Sequence, residues 1–91
     1  MEKIRAHMVF SGRVQGVGFR YKATHLARHF GLTGWARNEY DGTVVCEFQG
    51  PEAEIDMVIQ RLMQDAYIRI DHIGRRKIPL LEEEQGFSIQ G

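Results

Sequence analysis

Residues 12–20 read Gly-Arg-Val-Gln-Gly-Val-Gly-Phe-Arg. Glycine lets a backbone fold so that successive N–H groups point into one hollow. A helix start behind such a loop adds free N–H groups and the positive end of a dipole. Arg20 adds a planar, permanently charged fork that can grip a phosphate through two hydrogen bonds. Together these residue types suit the holding of an oxyanion, above all a phosphoryl group. The glycine spacing is not that of a dinucleotide fingerprint. No Lys-Ser or Lys-Thr follows Gly18, so the run is not a Walker loop either. A tight strand-to-helix connection, using glycine for its geometry alone, is the competing reading. Arg20 weighs against it. A cation in the first helical turn opposes the dipole, and local rules tend to be broken at functional sites. A surface arginine whose stem covers apolar area is its plainer explanation.

Asn38, in Trp35-Ala36-Arg37-Asn38, is the second candidate. Alone it reads as a turn-forming asparagine before a hairpin. A carboxamide also donates and accepts at once, so it can hold a water aimed at phosphorus. The histidines offer less. His25 and His29 have the helical spacing of a zinc pair, but no third ligand or His-Glu-x-x-His pattern accompanies them. His7 and His72 fall in strands without an evident partner. Cys46 alternates with Val44 and Phe48, as a buried structural thiol would. Arg75-Arg76-Lys77 reads as a charged strand surface that discourages edge pairing.

The elements that position these residues follow from periodicity. Residues 3–11 alternate, with Ile4, Ala6, Met8 and Phe10 on one side, as in a half-buried strand. Val14, Val17 and Phe19 are expected to pack inward and hold the glycine loop. Phe19, Ala23, Leu26, Ala27 and Phe30 fall at helical spacing, and Gly31 closes that helix. Residues 32–40 read as a strand, Asp41-Gly42 as a hairpin turn, and residues 43–49 as its partner strand. Pro51 with the acids after it opens a second helix. Ile55, Val58, Ile59, Leu62, Met63 and Ala66 form its apolar stripe. Residues 67–78 are strand-like, with the alternation slipping between Ile70 and Ile73, as at a bulge. Glu82-Glu83-Glu84 reads as a solvated loop, and residues 87–89 as a short edge strand.

The expected order, βαββαβ with a short extra C-terminal strand, is that of a ferredoxin-like α+β sandwich. Two helices would cover one face of an antiparallel sheet. The first two strands would run parallel through a right-handed crossover. The end of the second strand, with Asn38, then shares a sheet edge with the glycine loop.

Composition bounds the possibilities. With 91 residues, the chain fits one domain, residues 1–91. Twelve basic residues balance twelve acidic ones, which disfavours a partner held mainly by phosphate attraction, such as nucleic acid. A single cysteine excludes an internal disulfide and fits a reducing cytoplasm. No apolar run follows the N-terminal charges and none reaches membrane-spanning length, so neither a signal peptide nor a membrane partner is expected.

Taken together, the run Gly12–Arg20 closely resembles the first signature of the acylphosphatase family. Gly34-Trp-Ala-Arg-Asn38, followed by Asp41-Gly42-Thr-Val44 and Gly50, resembles its second. The similarity spans nearly the whole chain, including the expected element order. It implies an enzyme that hydrolyses acyl phosphates to a carboxylate and inorganic phosphate. By motif position, Arg20 would bind the phosphate and Asn38 would orient the attacking water. Backbone N–H groups of Gln15, Gly16, Val17, Gly18, Phe19 and Arg20 would complete the cradle, which a free phosphate or sulfate ion could also occupy. No metal or organic cofactor is implied, and a monomer acting on a small molecule is expected. One departure is Gln64-Asp-Ala-Tyr67, which lacks the Gly-Pro often found there, away from the predicted site. Rival functions on the same fold are an RNA-binding module, whose strand aromatics stack on bases, and a domain that binds acyl or carbamoyl phosphate without independent turnover.

Overall fold

The computed structural model describes residues 2–91. The elements are β1 (Lys3–Arg13), α1 (Phe19–His29), β2 (Thr33–Asn38), β3 (Val44–Pro51), α2 (Glu52–Met63), β4 (Arg69–Ile78) and β5 (Phe87–Gln90). They form one sheet in the order β4-β1-β3-β2-β5. The pairs β1–β3, β1–β4 and β2–β3 are antiparallel, as expected. The last strand differs from a purely antiparallel sheet, because β5 runs parallel to β2. The reason lies in where the strands end. β4 stops beside Arg5, near the start of β1, and β5 begins beside Gly34, near the start of β2. The link between them crosses one end of the sheet, so β5 must enter in the direction of β2.

Alternation along β1 and β3 sends Ala6, Met8 and Phe10, with Val44, Cys46 and Phe48, toward the helices. There they meet Phe19, Ala23, Leu26 and Ala27 of α1 and Ile55, Val58, Ile59 and Leu62 of α2. Burial raises the Cys46 thiol well above its ordinary range, so this cysteine is an apolar core residue. α1 ends as the sequence implies, with Gly31 N–H donating to Arg28 O at 3.2 Å and Leu32 N–H to Ala27 O at 2.8 Å. α2 is shorter than its stripe suggests. Met63 is 57% exposed and Ala66 lies beyond the helix. The expected bulge is present: the β1–β4 register steps from Ser11↔His72 to Gly12↔Ile70, leaving Asp71 without a partner.

The other sheet face carries a polar cluster that changes two expectations. Arg5 is fully buried. It donates from Nη1 to Glu84 Oε1 at 2.6 Å and from Nη2 to Glu84 Oε2 at 3.0 Å. Its Nε donates to Glu47 Oε1 at 2.9 Å. Glu84 is therefore half-buried and anchors the crossing segment, unlike the fully solvated loop the three glutamates suggest. His7 has a partner after all, because its Nδ1 lies 2.6 Å from Glu47 Oε2. Neither pairing is local in sequence. The contacts to Glu47 depend on the register that sets His7 opposite Glu47, and the contact to Glu84 on the path of the crossing segment. Gln49 completes the anchor by accepting from Leu81 N–H and donating to Leu81 O, both at 2.9 Å.

Candidate active site

The sheet end opposite that cluster holds the glycine loop. β1 runs out at Arg13, and Gln15–Gly18 turn before α1 begins. Gly16 and Gly18 have φ of 72° and 80°, the left-handed region that side chains disfavour. Gly18 is also the N-cap of α1, and no side chain caps the helix there. The first helical hydrogen bond runs from Lys22 N–H to Gly18 O at 3.0 Å. The N–H groups of Phe19, Arg20 and Tyr21 therefore lack helical acceptors, as the start of any helix requires. No acidic residue sits in this first turn to take up their positive end.

Asn38 comes to this place along β2. Phe10 and Asn38 both pair with Val44 of the intervening β3, so Asn38, where β2 ends, stands level with Phe10, three residues before β1 ends at Arg13. Arg20, Asn38, Gly16 and Gly18 line one cleft of about 180 Å³, and buried Val14 and Phe19 form its apolar wall. No Asp, Glu or His lines it. Among the described residues, neither the Arg20 guanidinium nor the Asn38 carboxamide is engaged in a side-chain hydrogen bond or ion pair. The nearby acid Glu39 is paired with Arg37, whose Nε donates to it at 2.9 Å.

Two of the expected cradle residues stand apart from this lining. Val17 packs against the edge of the core, as expected, and lines a separate hollow with Arg13 and Tyr67. Gln15 turns its side chain to the β2–β3 hairpin, where Nε2 donates to Glu39 O at 2.7 Å and to Thr43 O at 2.9 Å. Conversely, Tyr21 lines the cleft although the sequence argument stops at Arg20. The signal was available, since the free N–H groups of a helix extend through its first turn. The hairpin turn is held by Asp41, whose Oδ1 accepts from Thr43 N–H at 3.0 Å and Thr43 Oγ1 at 2.6 Å.

Other places suit the chemistry less. A larger hollow of about 640 Å³ runs along Leu80–Glu84, and its glutamates would repel a phosphoryl anion. Among the described residues, no group of three or more His, Cys, Asp or Glu side chains is gathered as a metal site. The arrangement at the loop can hold a small tetrahedral oxyanion between backbone donors and one guanidinium, with a carboxamide beside it.

The acylphosphatase family model matches residues 6–89, a span that includes the cleft. The chain belongs to the acylphosphatase family. An acylphosphatase of Roseiflexus sp. (strain RS-1) is 38% identical over 90 residues, covering 98% of this chain and 97% of that protein. The crystal structure of acylphosphatase from Bacillus subtilis gives a TM-score of 0.88 at 30% identity, covering 97% of this chain and 99% of that one. HypF from T. kodakarensis gives a TM-score of 0.83 at 28% identity, covering 97% of this chain but 12% of that one. Acylphosphatase chemistry is the hydrolysis of an acyl phosphate to a carboxylate and inorganic phosphate, and it is the reaction of this chain.

Proposed function

We propose that Arg20 and the N–H groups of the glycine loop and first helical turn hold the phosphoryl group, while Asn38 orients the attacking water. The observation that carries this reading is the sharing of one cleft, free of carboxylates, by Arg20, Asn38, Gly16 and Gly18. An acyl phosphate is a mixed anhydride whose leaving group, a carboxylate, is already a weak base. Its departure needs little help from a general acid. Positioning and neutralisation of phosphoryl charge can therefore supply most of the rate. Water adds to phosphorus, the bond from phosphorus to the acyl oxygen breaks, and the carboxylate leaves with that electron pair. With no Asp, Glu or His lining the cleft, the water's proton is assigned to a phosphoryl oxygen.

The same donors would accept free phosphate or sulfate. We read residues 1–91 as one acylphosphatase domain acting as a monomer in the cytoplasm. The single, core-buried thiol fits that compartment. Among the described residues, no helix is long and apolar enough to cross a membrane.

The test is phosphate release from acetyl phosphate in EDTA, for the wild type and Arg20→Lys. Wild-type turnover should persist with the chelator. Arg20→Lys keeps the charge but loses the planar fork, and should lose about a hundredfold or more in rate. An Arg20→Lys variant with unchanged turnover would remove Arg20 from this role. A folded wild type without turnover would favour a binding module.

A further inference from the structure

The hollow that holds the phosphoryl group does not stand alone. Tyr21 lines it and also lines a second hollow of about 360 Å³ between α1 and β5. Thr24, His25 and Arg28 form one wall of this groove, and Ser88 and Ile89 the other. Helix positions 21, 24, 25 and 28 fall on a single stripe. From Tyr21 the stripe runs along α1 for about 10 Å, at a rise of about 1.5 Å per residue. On the opposite wall, Ser88 and Ile89 stand level with Trp35 and Ala36 of β2. That wall therefore rises toward Asn38 and stops roughly 7 to 10 Å short of it, at about 3.3 Å per strand residue. Both walls lead to the phosphoryl cleft.

The lining indicates what the groove accepts. Tyr21 is 74% exposed at the junction, where its ring offers a flat apolar face. No carboxylate lines the groove. Arg28 closes its far end, with Nε and Nη2 donating to Phe87 O and Nη1 uncommitted. His25 stands about one turn from Tyr21, about 6 Å along the axis. We propose that this groove binds the acyl group, and that it favours dicarboxylic acyl phosphates, whose second carboxylate extends past Tyr21 toward His25 and Arg28. An acetyl group is too short to enter. The proposal rests on the placement of the phosphoryl group at Arg20, from which the acyl group must extend.

The experiment compares kcat/KM for acetyl, butyryl and succinyl phosphate. Two variants probe the groove away from the phosphoryl cleft. His25→Glu places a carboxylate in the groove at an exposed helix position, and Ser88→Tyr fills the groove from an exposed strand position. The wild type should prefer succinyl over butyryl and acetyl phosphate by about fivefold, the worth of one partly exposed charge contact. His25→Glu should erase the succinyl preference and leave butyryl and acetyl phosphate unchanged. Ser88→Tyr should lower both longer substrates and spare acetyl phosphate. Inhibition by inorganic phosphate should be the same in all three proteins. Equal wild-type values for the three substrates would overturn the groove assignment, as would a succinyl preference that survives both variants. Failure of the underlying reading has a different mark. Wild-type turnover of acetyl phosphate without inhibition by phosphate would overturn both.

Discussion

Gln15 is fastened to Thr43: its side-chain amide donates to Thr43 O at 2.9 Å and, with the same nitrogen, to Glu39 O at 2.7 Å. The first residue of the glycine turn is thereby tied to both ends of the hairpin that follows Asn38. The two halves of the cleft come from chain segments joined only through α1 and the sheet. This contact sets their separation directly.

Gln15→Ala should therefore lower kcat by about tenfold, because a misplaced water reacts slowly even when substrate binds. The cost in stability should be about 1 kcal/mol. Both carbonyls keep a backbone donor, Gly42 N–H at 3.2 Å for Glu39 O and Glu39 N–H at 2.9 Å for Thr43 O. Gln15→Glu should be worse, since a carboxylate there faces two carbonyl oxygens with no proton to give. Steady-state kinetics beside urea denaturation separate the effects. A fall in stability with kcat intact would make Gln15 a structural residue only.

Asn38→Ala should cut kcat by about a hundredfold while KM and inhibition by phosphate change little. Asn38 is half-exposed at the end of β2 and engages no other side chain, so the fold should be unaffected. A collapse of affinity with kcat retained would instead make Asn38 a substrate-binding residue.

At the opposite sheet end, Arg5→Ala should destabilise the protein by about 3 kcal/mol, the scale for removing one partner of a buried ion pair. Glu84 and Glu47 would lose their shared cation, and the Leu80–Glu84 crossing would lose its anchor. Activity in the remaining folded protein should be close to normal, because the cleft is elsewhere. Chemical denaturation with a parallel activity assay checks both halves of this expectation.

Acid should weaken the same cluster. Burial works to raise the Glu47 carboxyl, but hydrogen bonds from His7 and Arg5 outweigh it and hold it below its ordinary value of 4.5. A carboxylate with a depressed folded value stabilises fully above its unfolded value. That stabilisation is lost as pH falls through the folded one. Stability should thus drop on acidification below about pH 5, and Glu47→Gln should shallow that slope. Asp65, held low first by its hydrogen bond from Lys22, acts in the same sense and should leave part of the slope in place. Urea midpoints across this range provide the measure. An unchanged slope in Glu47→Gln would place the acid sensitivity elsewhere.

Local patterns were enough for much of the fold. The period slip between Ile70 and Ile73 located the bulge to within a residue of Asp71. Gly31 and Asp41-Gly42 marked a helix end and a turn through their own backbone chemistry. The apolar stripe of α2 overran its helix, because Met63 and Ala66 keep the spacing but have no sheet beneath them.

What the sequence by itself determined was the inventory of the site: a glycine turn that can present N–H groups, an arginine at a helix start, and an asparagine ahead of a hairpin. These are properties of short segments, dictated by backbone sterics and side-chain chemistry. Only the tertiary structure decided which of them meet. Strand register set Asn38 level with Phe10 of β1, and the folded chain turned Gln15 toward the hairpin and brought Arg5 between Glu47 and Glu84. Such pairings depend on distances across the sheet between residues far apart in the chain, and no local period encodes them.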